Sequence, residues 1–157
     1  MICKNLKELE KELYKRINTA LDTEVADTVK DVMTDHIVSD VYDAYEPVAY
    51  QRRYNNGGLL DANNIISTMG DNGELFVQNI TLGYPTYFIP GINKHFISAN
   101  ADSFITPVIE YGKGYDVIDI VPRPFIQNTH DDLERNHYHT EAMKQGLKKQ
   151  GIEIKSS

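Results

Sequence analysis

Residues 121–151 read VPRPFIQNTHDDLERNHYHTEAMKQGLKKQG, and the reading of this stretch decides how the fold ends and whether it carries a chemical centre. Pro122-Arg123-Pro124 holds the backbone extended, because each proline also restricts the residue before it. Asn128 or Thr129 is an N-cap candidate, and Asp131, Asp132 and Glu134 fill a first turn where carboxylates meet the positive end of the helix dipole. Lys144, Lys148 and Lys149 sit in the last turns and Gly151 can close the helix. The pattern predicts one amphipathic helix over about residues 129–149, inside a terminal segment 128–150.

Three of the five histidines, His130, His137 and His139, fall in this stretch. On one helix His137 and His139 point about 200° apart, so they cannot share an ion. His130 and His137 share a face but stand roughly 10 Å apart along the axis. His137 and Glu141 supply two ligands with no third, and there is no His-Glu-x-x-His motif. The cluster therefore reads as a solvated or docking face, with no metal.

Working outward, residues 4–39 carry one helical stripe: Leu6, Leu9, Leu13, Ile17, Leu21, Val25, Val29, Val32 and Ile37. A break is expected near Leu21-Asp22-Thr23-Glu24, where cap-forming residues gather. Glu12 is placed to pair with Arg16 four residues on. Beyond residue 18 the sign changes, and Asp22, Glu24, Asp27, Asp31, Asp35, Asp40 and Asp43 face only Lys30. Pro47 ends the helical region. Strand-like runs follow at Val48–Tyr54, Ile65–Met69 and Leu75–Thr81, the last two joined by a Gly70-Asp71-Asn72-Gly73 turn. Residues 82–103 read as loop, Phe104–Tyr111 as a short apolar segment, and Tyr115–Val121 as a strand. The expected fold class is α+β: a long N-terminal helix (helical region 1–45), an antiparallel sheet with a hairpin (46–127), a C-terminal amphipathic helix (128–150) and a tail (151–157), all in one domain.

The chain has 157 residues, 41% hydrophobic and 25% charged, with net charge −7. That balance argues against a stand-alone nucleic-acid binder, which needs a basic face. Ten of the fifteen aromatic residues are tyrosine, a residue suited to half-buried sheets and subunit contacts. The single cysteine, Cys3, has no partner and fits a reducing compartment. There is no signal peptide and no apolar run of membrane-spanning length, so production in the cytoplasm and no membrane partner are expected. Asn79-Ile80-Thr81 matches a glycosylation sequon and reads as strand by chance.

The acidic column Asp27, Asp31, Asp35 could in principle hold Mg²⁺ but reads as a solvated face. Asp35 and His36 are adjacent on a helix and do not face each other. Gly112-Lys113-Gly114 lacks the rest of any phosphate or dinucleotide motif, there is no Gly-x-Ser-x-Gly, and Cys3 is a poor nucleophile. No catalytic residue and no cofactor follow from the sequence, and no enzyme is expected. The alternative is a small metal-dependent nuclease or toxin using His137, His139, Glu141 and the Asp27/Asp31/Asp35 column.

Three segments, in order, carry a resemblance. Gly57-Gly58-Leu59-Leu60-Asp61 follows the first helix. Thr106-Pro107-Val108-Ile109-Glu110-Tyr111-Gly112 is similar to a Tyr-Ala-x-Tyr-Val-Glu-Phe-Gly element. Val121-Pro122-Arg123-Pro124-Phe125-Ile126 is similar to an Ala-Arg-Pro-Phe-Leu element leading into a terminal helix. Together they resemble the small neck proteins of long-tailed bacteriophages, the tail-completion or head–tail joining proteins. Two departures stand out: Asn56-Gly57-Gly58-Leu59 replaces the usual Asp-Thr-Gly-x-Leu, and the 82–103 loop is longer. The resemblance implies a structural virion protein without catalytic residues, made in the host cytoplasm and placed in the neck. It further implies a homo-oligomeric ring between the head connector or adaptor and the tail terminator or tail tube, with genomic DNA passing through without sequence-specific binding. Gly58, Leu59, Glu110, Tyr111, Gly112, Arg123, Pro124 and Phe125 become the structural or interface candidates, with Phe125 as a buried anchor. In such a ring Asp27, Asp31 and Asp35 are expected to face the lumen or solvent and to make no subunit salt bridges, since like charge keeps DNA from sticking.

Overall fold

The computed structural model describes residues 5–47, 51–83, 87–88, 95–96, 104–112 and 121–154. Cys3, Val48, Lys113, Gly114 and the predicted strand from Tyr115 to residue 120 lie outside them; Val121 has no regular structure.

The first helix is longer than its caps suggest. Asn5 accepts the Glu8 amide at 2.9 Å and opens α1, Leu6–Ala20. A π-helical turn, Leu21–Val25, replaces the expected break and leads straight into α2, Ala26–His36. A second π turn, Ile37–Tyr42, ends the helical run. Adjacent residues are core in pairs: Val25 with Ala26 at the end of the first π turn, and Val32 with Met33 inside the regular helix α2. The stripe read from the sequence is therefore only partly core. Ile37 is fully buried, but Leu6 is 82% exposed and Leu9 and Leu13 are exposed as well. The Glu12–Arg16 pair forms as expected, at 3.1 Å.

Ile65–Met69 (β1) and Leu75–Asn79 (β2) make the predicted hairpin. Gly73, at φ +77°, takes the left-handed conformation the turn requires, and the Gly70 amide donates to the Glu74 carbonyl at 2.7 Å. The described part of the predicted 48–54 strand, Gln51–Tyr54, is turn and irregular backbone instead. The 82–103 segment is not all loop: β3, Tyr87–Phe88, pairs antiparallel with β4, His95–Phe96, and Leu82 bridges Phe104. Thr106–Tyr111 is a helix, α3, with Pro107 in its first turn and Gly112 at φ +66° as its C-cap. Pro107 is pre-set for a helix start and Gly112 for its stop, a signal stronger than the apolar run around them.

The terminal helix is two helices. α4 spans Phe125–Asn136 and α5 spans Tyr138–Lys149. Between them His137 adopts φ +57°, a conformation that histidine tolerates better than most residues. Its amide donates to Leu133 at 3.0 Å while its carbonyl accepts from Thr140 and Glu141, so one residue ends α4 and starts α5. Since α4 begins at Phe125, Asp131, Asp132 and Glu134 lie beyond its first turn, and neither Asn128 nor Thr129 is its cap. The far end agrees with the sequence. Gly151, at φ +78°, donates to Lys148, and Ile152 donates to Leu147, both at 2.9 Å, closing α5.

These elements form two compact units. The first contains residues 1–31, 67–77 and 132–157; the second contains 32–66 and 78–131. In the first unit α5 packs on α1 and its π turn, burying Ala20, Val25, Ala26, Ala142 and Leu147. The approach is close because both helices present small residues: a Cβ on Gly146 would stand 2.7 Å from Ala20 Cβ. Arg16 donates to the Gln150 carbonyl, Gln150 returns a bond to the Arg16 carbonyl at 3.0 Å, and Lys149 reaches Glu24 at 2.9 Å. In the second unit Val32, Met33, Ile37, Val41, Leu59, Ile65, Ile109 and Phe125 are the apolar core.

Two tests follow from this packing. Gly146→Val should destabilise the protein by about 1–3 kcal/mol, because the added side chain meets Ala20 where neither backbone can yield. Phe125→Ala should cost about 3–5 kcal/mol, the range for emptying a fully buried aromatic site. Urea unfolding followed by circular dichroism reads both, and an unchanged midpoint would refute either placement.

Candidate functional site

The three sequence segments converge in the second unit. Their meeting point is built around three polar side chains shut away from water. Asn79, at the end of β2, donates from Nδ2 to the Leu59 carbonyl at 2.8 Å and accepts the Thr81 amide on Oδ1 at 3.1 Å. Thr106 Oγ1 donates to the Asn79 carbonyl at 2.9 Å, and Thr81 Oγ1 donates to the Gly58 carbonyl at 3.2 Å. Asn79, Thr81 and Thr106 are all buried. Satisfied polar groups at this depth fix geometry, since any shift leaves a dry donor or acceptor. The apparent sequon is thus a knot holding the 57–61 segment to the start of α3. It is a structural signal that the sequence reading missed.

Gly58 is irreplaceable at this point. A Cβ there would stand 2.4 Å from the Tyr54 carbonyl oxygen and 2.7 Å from the Tyr54 amide nitrogen. Gly57, beside it, takes φ +73° and donates its amide to Asp61 Oδ2 at 2.7 Å. Asp61 Oδ1 accepts the Asn63 amide at 2.9 Å. These bonds from Gly57 and then Asn63 hold the Asp61 carboxyl below the usual aspartate range.

Glu110 makes the second link. Pro124 stands directly before α4 and has no side-chain acceptor for the open amides of the first turn. Glu110, carried by α3, supplies one: Oε2 accepts the Ile126 amide and Oε1 the Gln127 amide, each at 2.9 Å. The carboxylate is buried, and its charge lies against the positive end of the α4 dipole. The Arg123 amide donates to the Ile109 carbonyl at 2.9 Å, so the two segments are joined on both sides of the clamp. Phe125 has no exposed surface, as expected of a buried anchor. Gly112 ends α3, whereas Tyr111 points to solvent, 66% exposed.

A third link ties α4 to the end of the first helical run. Asp40 accepts from His36 Nδ1 at 2.8 Å, from Ser39 Oγ at 2.8 Å and from Asn128 Nδ2 at 2.9 Å. Burial alone would raise the Asp40 pKa, but the bonds from Asn128, Ser39 and His36 outweigh it and hold the group below the ordinary aspartate value. Asp40 is thus not an unpartnered acid, and neither is Glu24. The Thr23 hydroxyl and then Lys149 lower the Glu24 pKa. The spacing His36 to Asp40, four residues, was the available signal.

The other sequence candidates fall elsewhere. Asp27, Asp31 and Asp35 are all exposed on one helical face. His137 stands at the left-handed junction, so the helical phase relating it to His130 and His139 does not exist. Glu141 pairs with Lys144 at 2.6 Å. Among the described residues no group of three His, Cys, Asp or Glu side chains is arranged to hold a metal, and no helix is long and apolar enough to cross a membrane.

A family model described as YomN matches residues 5–149, from the cap of α1 to the end of α5. The chain belongs to the YomN family. A relative, the SPbeta prophage-derived uncharacterized protein YomN of Bacillus subtilis (strain 168), is 34% identical over 134 residues, covering 79% of this chain and 79% of its own. No solved structure matches. The matched range takes in all three segments of the junction, so the Glu110 clamp and the Asn79 knot lie inside the YomN family region.

The clamp makes two measurable demands. Glu110→Ala should cost about 1.5–3 kcal/mol, the range for losing charge-assisted hydrogen bonds, while Glu110→Gln, which keeps one acceptor oxygen, should cost less. Thermal unfolding of the pair checks the order. For Asp40 the folded pKa is depressed, so its contribution is present above the unfolded value near 3.9 and is lost as pH falls through the folded one. Asp40→Asn should therefore flatten the fall in stability between about pH 5 and pH 2, and an unaltered acid limb would refute the link.

Proposed function

We propose that this chain is a phage structural protein, a ring-forming adaptor at the head–tail junction. The observation that carries the reading is the convergence of three segments resembling the neck proteins, in their order, on one clamped junction. A prophage-derived relative supports the phage setting. The matched names assign no position in a particle, so the neck placement rests on the three segments.

The junction suits such a role physically. An adaptor transmits force between a filled head and a tail, and needs its segments fixed to one another. Glu110 and the Asn79 knot provide that fixity without large apolar area. The exposed Leu6, Leu9, Leu13, Tyr14, Tyr45, Tyr54 and Tyr111 offer aromatic and aliphatic surface for neighbouring subunits. The partners under this reading are further copies of the chain, the head connector or adaptor, and the tail terminator or tube, with DNA passing through the centre.

Deleting the gene from its phage should leave DNA-filled heads and complete tails that fail to join. Electron microscopy of the lysate should show the two separately, and supplying the protein should restore joined, infectious particles. Normal joined particles without the protein would overturn the proposal.

A further inference from the structure

The end of the first helical run carries a positive centre in a chain of net charge −7. The Arg52 guanidinium lies 4.9 Å from the Tyr42 ring centroid and 5.5 Å from that of Tyr45, and the Arg123 guanidinium lies 5.3 Å from the same Tyr45 ring. Helix capping accounts for part of this. Arg52 Nη1 donates to the Tyr42 carbonyl at 2.7 Å and Arg123 Nη1 to the Val41 carbonyl at 3.5 Å. Two arginines carry about ten N–H donors between them, far more than two carbonyls use. Arg52 Nη2 meets no acceptor among the described residues but is shielded from solvent, so it is not one of the donors a partner can reach. No carboxylate among the described residues pairs with either arginine. The centre has more donors and charge than the described residues of its unit answer.

From this surplus we infer that Arg52 and Arg123, beside the exposed Tyr45 ring, receive carboxylates from the acidic face of a second copy of the chain, the stripe Asp27, Asp31 and Asp35. Both guanidinium groups lie within about 5.5 Å of one ring centroid, so they are no more than about 11 Å apart. Carboxylates four residues apart on a helix are spaced about 6 Å along its axis, and eight apart about 12 Å. Two carboxylates four residues apart fall within that limit, one for each arginine. The three aspartates are exposed and form no hydrogen bond or ion pair with a described residue. Like-charged copies repel except where a patch of opposite sign is brought to bear, which sets both partner and orientation. Exposed ion pairs alone are weak. Tyr45 and Tyr54, both exposed, add the aromatic area that arginine-centred contacts use as anchors. A phosphate backbone is the poorer match, because the rest of the surface repels it.

Donor and acceptor patches are different surfaces, so the contact is heterologous, and repetition closes a ring or extends a filament. The inference rests on the adaptor reading and moves the three aspartates from the lumen or solvent, where the ring implied by the resemblance put them without subunit salt bridges, to the subunit boundary.

Sedimentation velocity on the full chain tests it. The wild-type protein should assemble in about 50 mM salt and dissociate as screening rises toward 0.5 M. Arg123→Glu and Asp31→Lys should each weaken association by about tenfold or more. Mixing the two variants should restore assembly, because each supplies the patch the other has reversed. Circular dichroism melts screen for unfolding in Arg123→Glu, and Asp31→Lys changes only an exposed site. Wild-type protein that stays monomeric, variants that assemble like wild type, or a mixture that stays apart would each overturn the contact. The gene-deletion phenotype would still decide the adaptor reading separately.

Discussion

The second unit depends on one carboxylate. Pro124 sets the backbone for the start of α4 but leaves its first-turn amides without a local acceptor. Glu110, fourteen residues earlier, closes both amides from α3. A buried charge without partners would be expensive, and open amides at a buried helix end would be costly too. Each removes the other's penalty. The direction in which α4 leaves the junction is therefore set by the position of α3, which is in turn set by Thr106 on Asn79.

The first unit is organised by a different constraint, close approach. Ala20 and Gly146 let α1 and α5 come near enough that neighbouring groups seal the contact from both ends: Arg16 with Gln150, and Lys149 with Glu24. The π turn at Leu21–Val25 belongs to this arrangement. Val25, its last residue, and Ala26, which follows it, are both buried.

Charge is distributed unevenly over this scaffold. Asp40, Glu24 and Asp61 are held by specific donors, while Asp27, Asp31 and Asp35 meet none among the described residues. Arg52 and Arg123 collect around tyrosines rather than carboxylates. Among the described residues, neither the stripe nor the arginine centre has a carboxylate–guanidinium partner, so both charges remain on view at the surface.

The sequence by itself determined the long first helix, the Gly70–Gly73 hairpin, the stop at Gly151 and the burial of Phe125. Each of these rests on local causes: a 3.6-residue period, glycine at positive φ, or an apolar ring after a rigid Pro-Arg-Pro. It also marked Gly58 and Glu110 as special without saying why. Tertiary structure decided the rest. Leu6, Leu9 and Leu13 have the period of a core stripe, yet period cannot show whether anything covers it. The start of α4 at Phe125 depends on Glu110, distant in sequence, for which propensity has no term, and the junction at His137 is a left-handed residue that no glycine or proline announces. The Asn79-Ile80-Thr81 triplet is the sharpest case. Three residues long and ambiguous as a motif, it acquires its role only because Leu59, Gly58 and Thr106 are brought to it by the fold.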